Sequence, residues 1–167
     1  MSPFATEFCQ QTIYFLELNP PRVANCLNRL TEQQVWKKPN SQTNSIGNLI
    51  LHLCGNIRQY AISSLGGLPD MRIRDEEFSV TSGLTKTELL EKLEMTISEA
   101  VTIINNVSEK ELMQERSVQG FKYTGIGIMI HVTEHFSYHV GQIALYTKLL
   151  KDEDLGFYAD IDLNVTG

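Results

Sequence analysis

Several features that mark large classes of protein are missing from this sequence. Of its 167 residues only three are cysteines, Cys9, Cys26 and Cys54, an odd count with no CxxC pair. That spacing excludes a disulfide framework and a thiolate zinc site, and reduced, partly buried thiols are expected instead. No apolar run approaches the ~20 residues of a spanning helix, so no membrane partner is expected. The first residues lack the basic start and apolar stretch of a signal peptide, and the expected location is cytoplasmic. Basic runs are absent too. Lys37-Lys38 and Arg72/Arg74 are the only clusters, and the net charge is −6. A nucleic-acid reader usually carries a basic face, so nucleic acid is not an expected partner. With no repeat, low-complexity tract or linker, residues 1–167 read as a single domain. The apolar fraction of 42% is that of an ordinary globular chain.

What is present is helical periodicity, punctuated by proline, glycine and capping residues. The first helix is expected from about Pro3 to Leu18. Pro20-Pro21 interrupts it, and a second piece runs from Arg22 to Leu30. Thr31 to Gln34 fits a capping box for a short turn ending near Trp36. Ser45 is a good N-cap for a second long helix reaching about Ser64, where Gly66-Gly67 stops it. A loop follows from Leu68 to Gly83, holding Arg72, Arg74 and the acidic run Asp75-Glu76-Glu77. Thr85 to Glu88 is another capping box and opens a third helix to about Asn105. Ser108 to Glu111 caps a short turn, Arg116 to Tyr123 reads as brief extended chain, and a fourth helix spans about Gly127 to Lys151. Four long helices read as an all-α four-helix bundle.

Three of the four histidines, His131, His135 and His139, recur at every fourth position of the last helix. Residues at i and i+4 share a face about 6 Å apart along the axis, so two such imidazoles can grip one metal ion. All three cannot, because the outer pair is about 12 Å apart. A wheel centred on His135 places Ile128, Gln142 and Tyr146 on its line and Glu134, Ser137 and Lys148 opposite, so the histidines are expected to face the core. His52, on the second helix, shares a line with Asn48, Asn56, Gln59 and Ser63 beside an apolar arc, as the wall of a polar pocket would. Cys54 is about 200° round that helix from His52 and should point away.

Two rival motifs are weaker. His131-Val132-Thr133-Glu134-His135 matches HxxEH, the inverted zincin pattern. Glu134, its catalytic base, falls on the solvent side, and no clear downstream helix supplies a third ligand. A di-iron carboxylate bundle needs ExxH motifs, and the chain has none.

The chain resembles the DinB/YfiT-like superfamily of metalloenzyme-like bundles, in a branch of uncharacterised proteins. The resemblance covers nearly its whole length. It rests on Asn44-Ser45-Ile46 leading into His52-Leu53-Cys54-Gly55-Asn56, on Arg72-Ile73-Arg74-Asp75 before Glu77-Phe78, and above all on His131 to His135 followed by Tyr138-His139-Val140-Gly141-Gln142-Ile143. It implies a bundle of up-down-down-up topology, often dimeric. It also implies one metal ion, typically zinc or nickel, on one histidine of the second helix and two of the fourth. The matching positions are His52, His135 and His139, with His131 at a non-ligand place. Where many members carry His and Arg around the last ligand, this chain has Tyr138 and Val140.

Three neutral nitrogen ligands leave a coordination position open, as in catalytic rather than structural zinc. By resemblance the expected function is metal-assisted transfer to a small-molecule thiol, with Asn56, Tyr138 and Gln142 as candidates for orienting ligands or substrate. The alternatives are a metal-dependent hydrolase and a non-enzymatic, metal-stabilised stress or interaction protein. Arg72 and Arg74 are candidates for an anionic substrate group, with surface ion pairs to the neighbouring acids the stronger expectation. A homodimer is expected, because Met129, Phe136 and Val140 widen the apolar arc of the fourth helix beyond one core face.

Overall fold

The computed structural model describes residues 1–166. Local capping chemistry sets most helix starts. Ser2 caps α1 (Pro3–Glu17) by accepting from the Ala5 amide. Proline opens α2 (Pro20–Arg29), where a missing N–H removes no helical bond, so the pair begins a new helix two residues earlier than expected. Reciprocal capping boxes open α3 (Glu32–Trp36) and α4 (Ile46–Ile57). After α5 (Arg74–Ser79), the same device opens α6 (Lys86–Asn106) and α7 (Glu109–Met113). Thr124 caps α8 (Gly125–Lys151), the longest helix, which ends on a left-handed Asp152.

Contacts between the helices fix their directions. Lys86, at the start of α6, donates to the Leu30 carbonyl at the end of α2. The Ser2 amide donates to Glu109, just past the end of α6. Helix α6 therefore runs against α1 and α2. Helix α4 runs with α6, since Cys54 bonds Thr96 and Arg58 pairs with Glu99. Helix α8 runs against α4: Asn56 meets His131, and the Tyr146 hydroxyl donates to the Lys37 carbonyl near the opposite end. The core between them is fully buried aliphatic and aromatic surface, with Leu16, Leu27, Ile50, Leu53, Leu93 and Phe136 among its largest members.

Two features depart from the expected helices, and the expected extended stretch takes a definite form. The second long helix widens into a π-helical segment over Arg58–Leu65 before Gly66. The Leu68–Gly83 loop contains α5, six residues with no side-chain cap. The extended stretch is an antiparallel hairpin, β1 (Glu115–Val118) with β2 (Phe121–Thr124), turning through Gln119 and Gly120, both at positive φ as a tight hairpin turn requires.

The buried stripe of α8 also differs from its expected place. It is centred on Val132, Phe136 and Ile143, one residue step (about 100°) round from His135. The histidines line its edge, half-buried, and do not face the core centre. Met129, Phe136 and Val140 are buried within the chain by the other helices, so the surplus arc assigned to a dimer does not exist. Among the described residues, no helix is long and apolar enough to cross a membrane. Phe136→Ala is expected to lower stability by roughly 3–5 kcal/mol, the cost of emptying a fully buried aromatic site. Denaturant unfolding of the two proteins checks this.

Candidate metal centre

His52 projects from the middle of α4 toward α8, where His135 and His139 stand one turn apart. Their nitrogens include one set, one atom from each ring, all within 4.8 Å of one another. His52 Nε2 and His135 Nε2 are 3.0 Å apart. The His52 ring lies edge-on to both others, at 5.0 Å between centroids. His131 does not join them. Its Nε2 faces the Asn56 amide nitrogen at 3.2 Å, and its ring packs on Tyr60 at 4.1 Å.

The outer nitrogens determine which lone pairs converge. Nδ1 of His52 is 2.9 Å from Glu77 Oε2. A carboxylate only accepts, so Nδ1 carries the hydrogen and Nε2 presents its lone pair inward. Arg72 Nη2 also lies 3.2 Å from that Nδ1, but its hydrogen goes to Glu77 Oε2 at 2.9 Å. His139 Nδ1 is 2.7 Å from Gln142 Oε1, which fixes the same tautomer there. His135 Nε2–H then donates to His52. Two inward lone pairs and a third imidazole nitrogen form a neutral, electron-rich cluster, a donor set that fits a divalent cation.

Burial pushes the His135 pKa down to about 3, with the neighbouring His139 and His52 adding to the effect. His139 and His131 are also lowered, chiefly by burial. At neutral pH His135 is therefore an uncharged imidazole, and moving its hydrogen from Nε2 to Nδ1 turns the Nε2 lone pair toward the cluster.

Glu77 and Arg72, which the histidine pattern does not reveal, hold His52 in place. Burial alone would raise the Glu77 carboxyl, but hydrogen bonds from Arg72 and His52 outweigh it and hold it below its usual value. Arg72 Nε donates to Glu77 Oε1 at 2.7 Å, and the Arg72 side chain is only 2% exposed. The expected surface ion pair is thus a buried one, and Arg72 is not free for substrate. Arg74 lies over the Phe78 ring at 4.9 Å.

The polar stripe of α4 and of the π-helical segment that continues it is the seat of this whole segment. Asn48 donates to the Glu77 and Val80 carbonyls, Gln59 bonds both Asp70 and Arg72, and the Ser63 hydroxyl donates to the Pro69 carbonyl. Gly55 makes room for it, because a Cβ there would overlap the Glu77 carboxylate and stand 2.9 Å from Arg72 Nε. The signal for Glu77 was an acidic run following an arginine pair, which a one-dimensional reading cannot aim at His52.

The other sequence candidates divide. Gln142 orients His139. Asn56 is buried against His131, with its amide oxygen lacking a partner. Tyr138 is largely exposed, its ring edge-on to His139 at 4.9 Å. Glu134 is exposed, so the HxxEH reading lacks its base. Cys54 points to Thr96, and burial pushes its thiol up to about 11. A cavity of about 850 Å³ opens between α3 and residues 81–85, and it contains none of the histidines.

The family described as "Protein of unknown function (DUF1572)" matches residues 3–159. The chain belongs to the DUF1572 family. Among solved structures, a conserved protein of Enterococcus faecalis is 16% identical with a TM-score of 0.72, covering 86% of this chain and 97% of its own. A DinB-like protein of Bacillus cereus is 15% identical with a TM-score of 0.67, covering 86% and 90%. A DinB-like protein of Bacillus subtilis is 18% identical with a TM-score of 0.63, covering 84% and 91%. These likenesses place this DUF1572 chain in the DinB-like fold. No curated protein matches it.

Two outcomes follow from the geometry of this DUF1572 centre. In an exposed helix Gly→Ala would stabilise by about 1 kcal/mol. Gly55→Ala is expected to do the reverse, because it evicts the Glu77–Arg72 pair, and both it and His52→Ala are expected to weaken metal uptake. Thermal melts and metal titration check both. The lowered histidines also set a pH dependence for the metal-free protein. Unfolded histidines bind protons below about pH 6.5, while folded His135 refuses them until about pH 3, so stability is complete above 6.5 and falls across that window. Glu77, with its lowered folded pKa, adds a loss of the same sign at the acid end. Urea midpoints in the presence of chelator are expected to drop steadily from pH 7 to pH 4.5. A flat profile would contradict the burial of these rings.

Proposed function

We propose that this protein is a metal-dependent enzyme holding one zinc or nickel ion on His52, His135 and His139, and that it acts on a small-molecule thiol as an S-transferase. The observation that carries this reading is the convergence of three neutral imidazoles whose outer nitrogens are tied to Glu77 and Gln142 where a partner is present. Three nitrogen ligands leave room for a fourth group. A divalent ion there lowers the pKa of a bound thiol or water, supplying a nucleophile at neutral pH.

The remaining work falls to the chain. Glu77 and Gln142 keep hydrogens on the outer nitrogens of His52 and His139, so both rings aim inward. Arg72 cancels the Glu77 charge, and the triad itself is neutral, so an ion keeps its full double charge toward whatever it binds. Tyr138, exposed beside His139, is positioned to touch a bound substrate.

The hydrolase alternative needs a carboxylate base at the open position: Glu134 is exposed to solvent one residue step (about 100°) round α8 from His135, and Glu77 is engaged by Arg72. A thiol is far more acidic than water to begin with, so one held by an ion on these three histidines would release its proton to solvent without such a base.

Elemental analysis of tag-free protein beside His52→Ala and His135→Ala tests the centre. About one zinc or nickel per chain is expected in the wild type and none in either variant, with thiol-transfer activity toward an electrophilic thiol acceptor lost on chelation and regained on adding the ion. Metal loss that lowers only the melting temperature, with no activity to lose, would favour the non-enzymatic, metal-stabilised reading. A folded wild type that takes up no metal would remove the proposal.

A further inference from the structure

The sequence has two basic clusters, Lys37-Lys38 and Arg72/Arg74, in a chain of net charge −6. The fold brings both to α5, beside the histidines. Arg72 is consumed there, its charge cancelled by Glu77. Two other cations close on Phe78. Lys38 Nζ donates to the Phe78 carbonyl at 3.3 Å, and the Arg74 guanidinium stands over the Phe78 ring at 4.9 Å. That ring in turn packs on His52, with centroids 4.9 Å apart. Arg74 and Lys38 are exposed, Phe78 is half-buried and His52 is buried, so the stack leads from solvent to a residue of the candidate metal centre.

Neither of these cations is neutralised. Among the described residues, no carboxylate lies within ion-pair distance of Lys38 or Arg74. Asp75 and Glu76 follow Arg74 directly, but successive side chains on a helix diverge by about 100°, and neither pairs with it. A guanidinium over an aromatic face is held by cation–π attraction, while its fork of N–H donors can still meet a planar carboxylate.

We propose that Arg74, assisted by Lys38, is the specificity-determining residue of this centre and selects a small-molecule substrate that carries a carboxylate. The carboxylate is held at the rim over Phe78, and the reacting end of the molecule reaches the three histidines beside that ring. The placement of the reacting end rests on the function proposed above. The carboxylate anchor rests only on the cluster of Lys38, Arg74 and Phe78.

NMR titration of the isotopically labelled, full-length protein tests this, with zinc bound and again in chelator. The probes are mercaptopropionate, mercaptobutyrate and mercaptohexanoate, each beside its methyl ester. An acid is expected to bind in both states, more tightly with zinc, and to shift the Arg74 side-chain signal more than its ester does. Arg74→Gln is expected to weaken the best acid by roughly five- to tenfold and Lys38→Gln by roughly two- to threefold. Arg74→Lys is expected to lose less than Arg74→Gln, because it keeps the charge and gives up only the fork. The spectra of the variants report directly that they are folded. On cobalt-substituted protein, a sulfur-to-cobalt charge-transfer band reads the thiol end separately. If that band is absent while an acid still binds through Arg74, the thiol reading of the centre fails and the carboxylate anchor stands. The proposal is overturned if neither state shows an Arg74-dependent preference for acid over ester. It is overturned equally if chloride at the same concentration reproduces the shifts, since the response is then charge screening alone.

Discussion

The Glu77 carboxylate, buried between the Arg72 guanidinium and the His52 ring, is the interaction on which the site depends. A carboxylate in apolar surroundings is costly unless paired and fully hydrogen-bonded. Here one oxygen accepts from Arg72 Nε, and the other accepts from both Arg72 Nη2 and His52 Nδ1. The pair contributes no net charge, so the centre stays neutral. It also fixes the His52 tautomer, which a solvated histidine would leave free to exchange. The residues from Pro69 to Val80 lie along α4 because this pair must reach His52, and the polar stripe of α4 supplies its remaining partners.

That dependence reaches into the helix backbone. Gly55 is placed where a side chain would occupy the space of the Glu77 carboxylate. Helix α4 thus gives up one good helix former to let an ion pair approach it. The π-helical segment that follows is where the long helix loses regular pitch, and there Tyr60 turns inward against His131, with its hydroxyl on Gln119. Both irregularities lie next to the histidines, while α6, which carries none of them, remains regular throughout.

Much of the architecture was legible because its signals are local. Ser45, Thr85, Thr31 and Ser108 cap the helices they were expected to cap, since a capping box is complete within four residues. The repeat of His131, His135 and His139 is likewise local to one helix. The partnership of His52 with Glu77 is not, being a contact between residues far apart in sequence, one of them in a stretch with no periodic pattern. Helix α5 was missed because six uncapped residues give no helical period to detect. The misplaced face of α8 has a different cause. A wheel centred on the histidines counts apolar residues on both flanks, and only the packing of the other helices decides which flank is the core.

Cys54 lies two residues from His52 in sequence, yet its thiol is turned to Thr96 and kept protonated by burial. Cys9 and Cys26 are buried as well, and burial raises their thiols also. The three-histidine centre is thereby insulated from the sulfur of its own chain. None of the three cysteines is a donor to the histidine cluster. Redox conditions that would disable a cysteine-dependent enzyme leave the residues of this centre chemically unchanged.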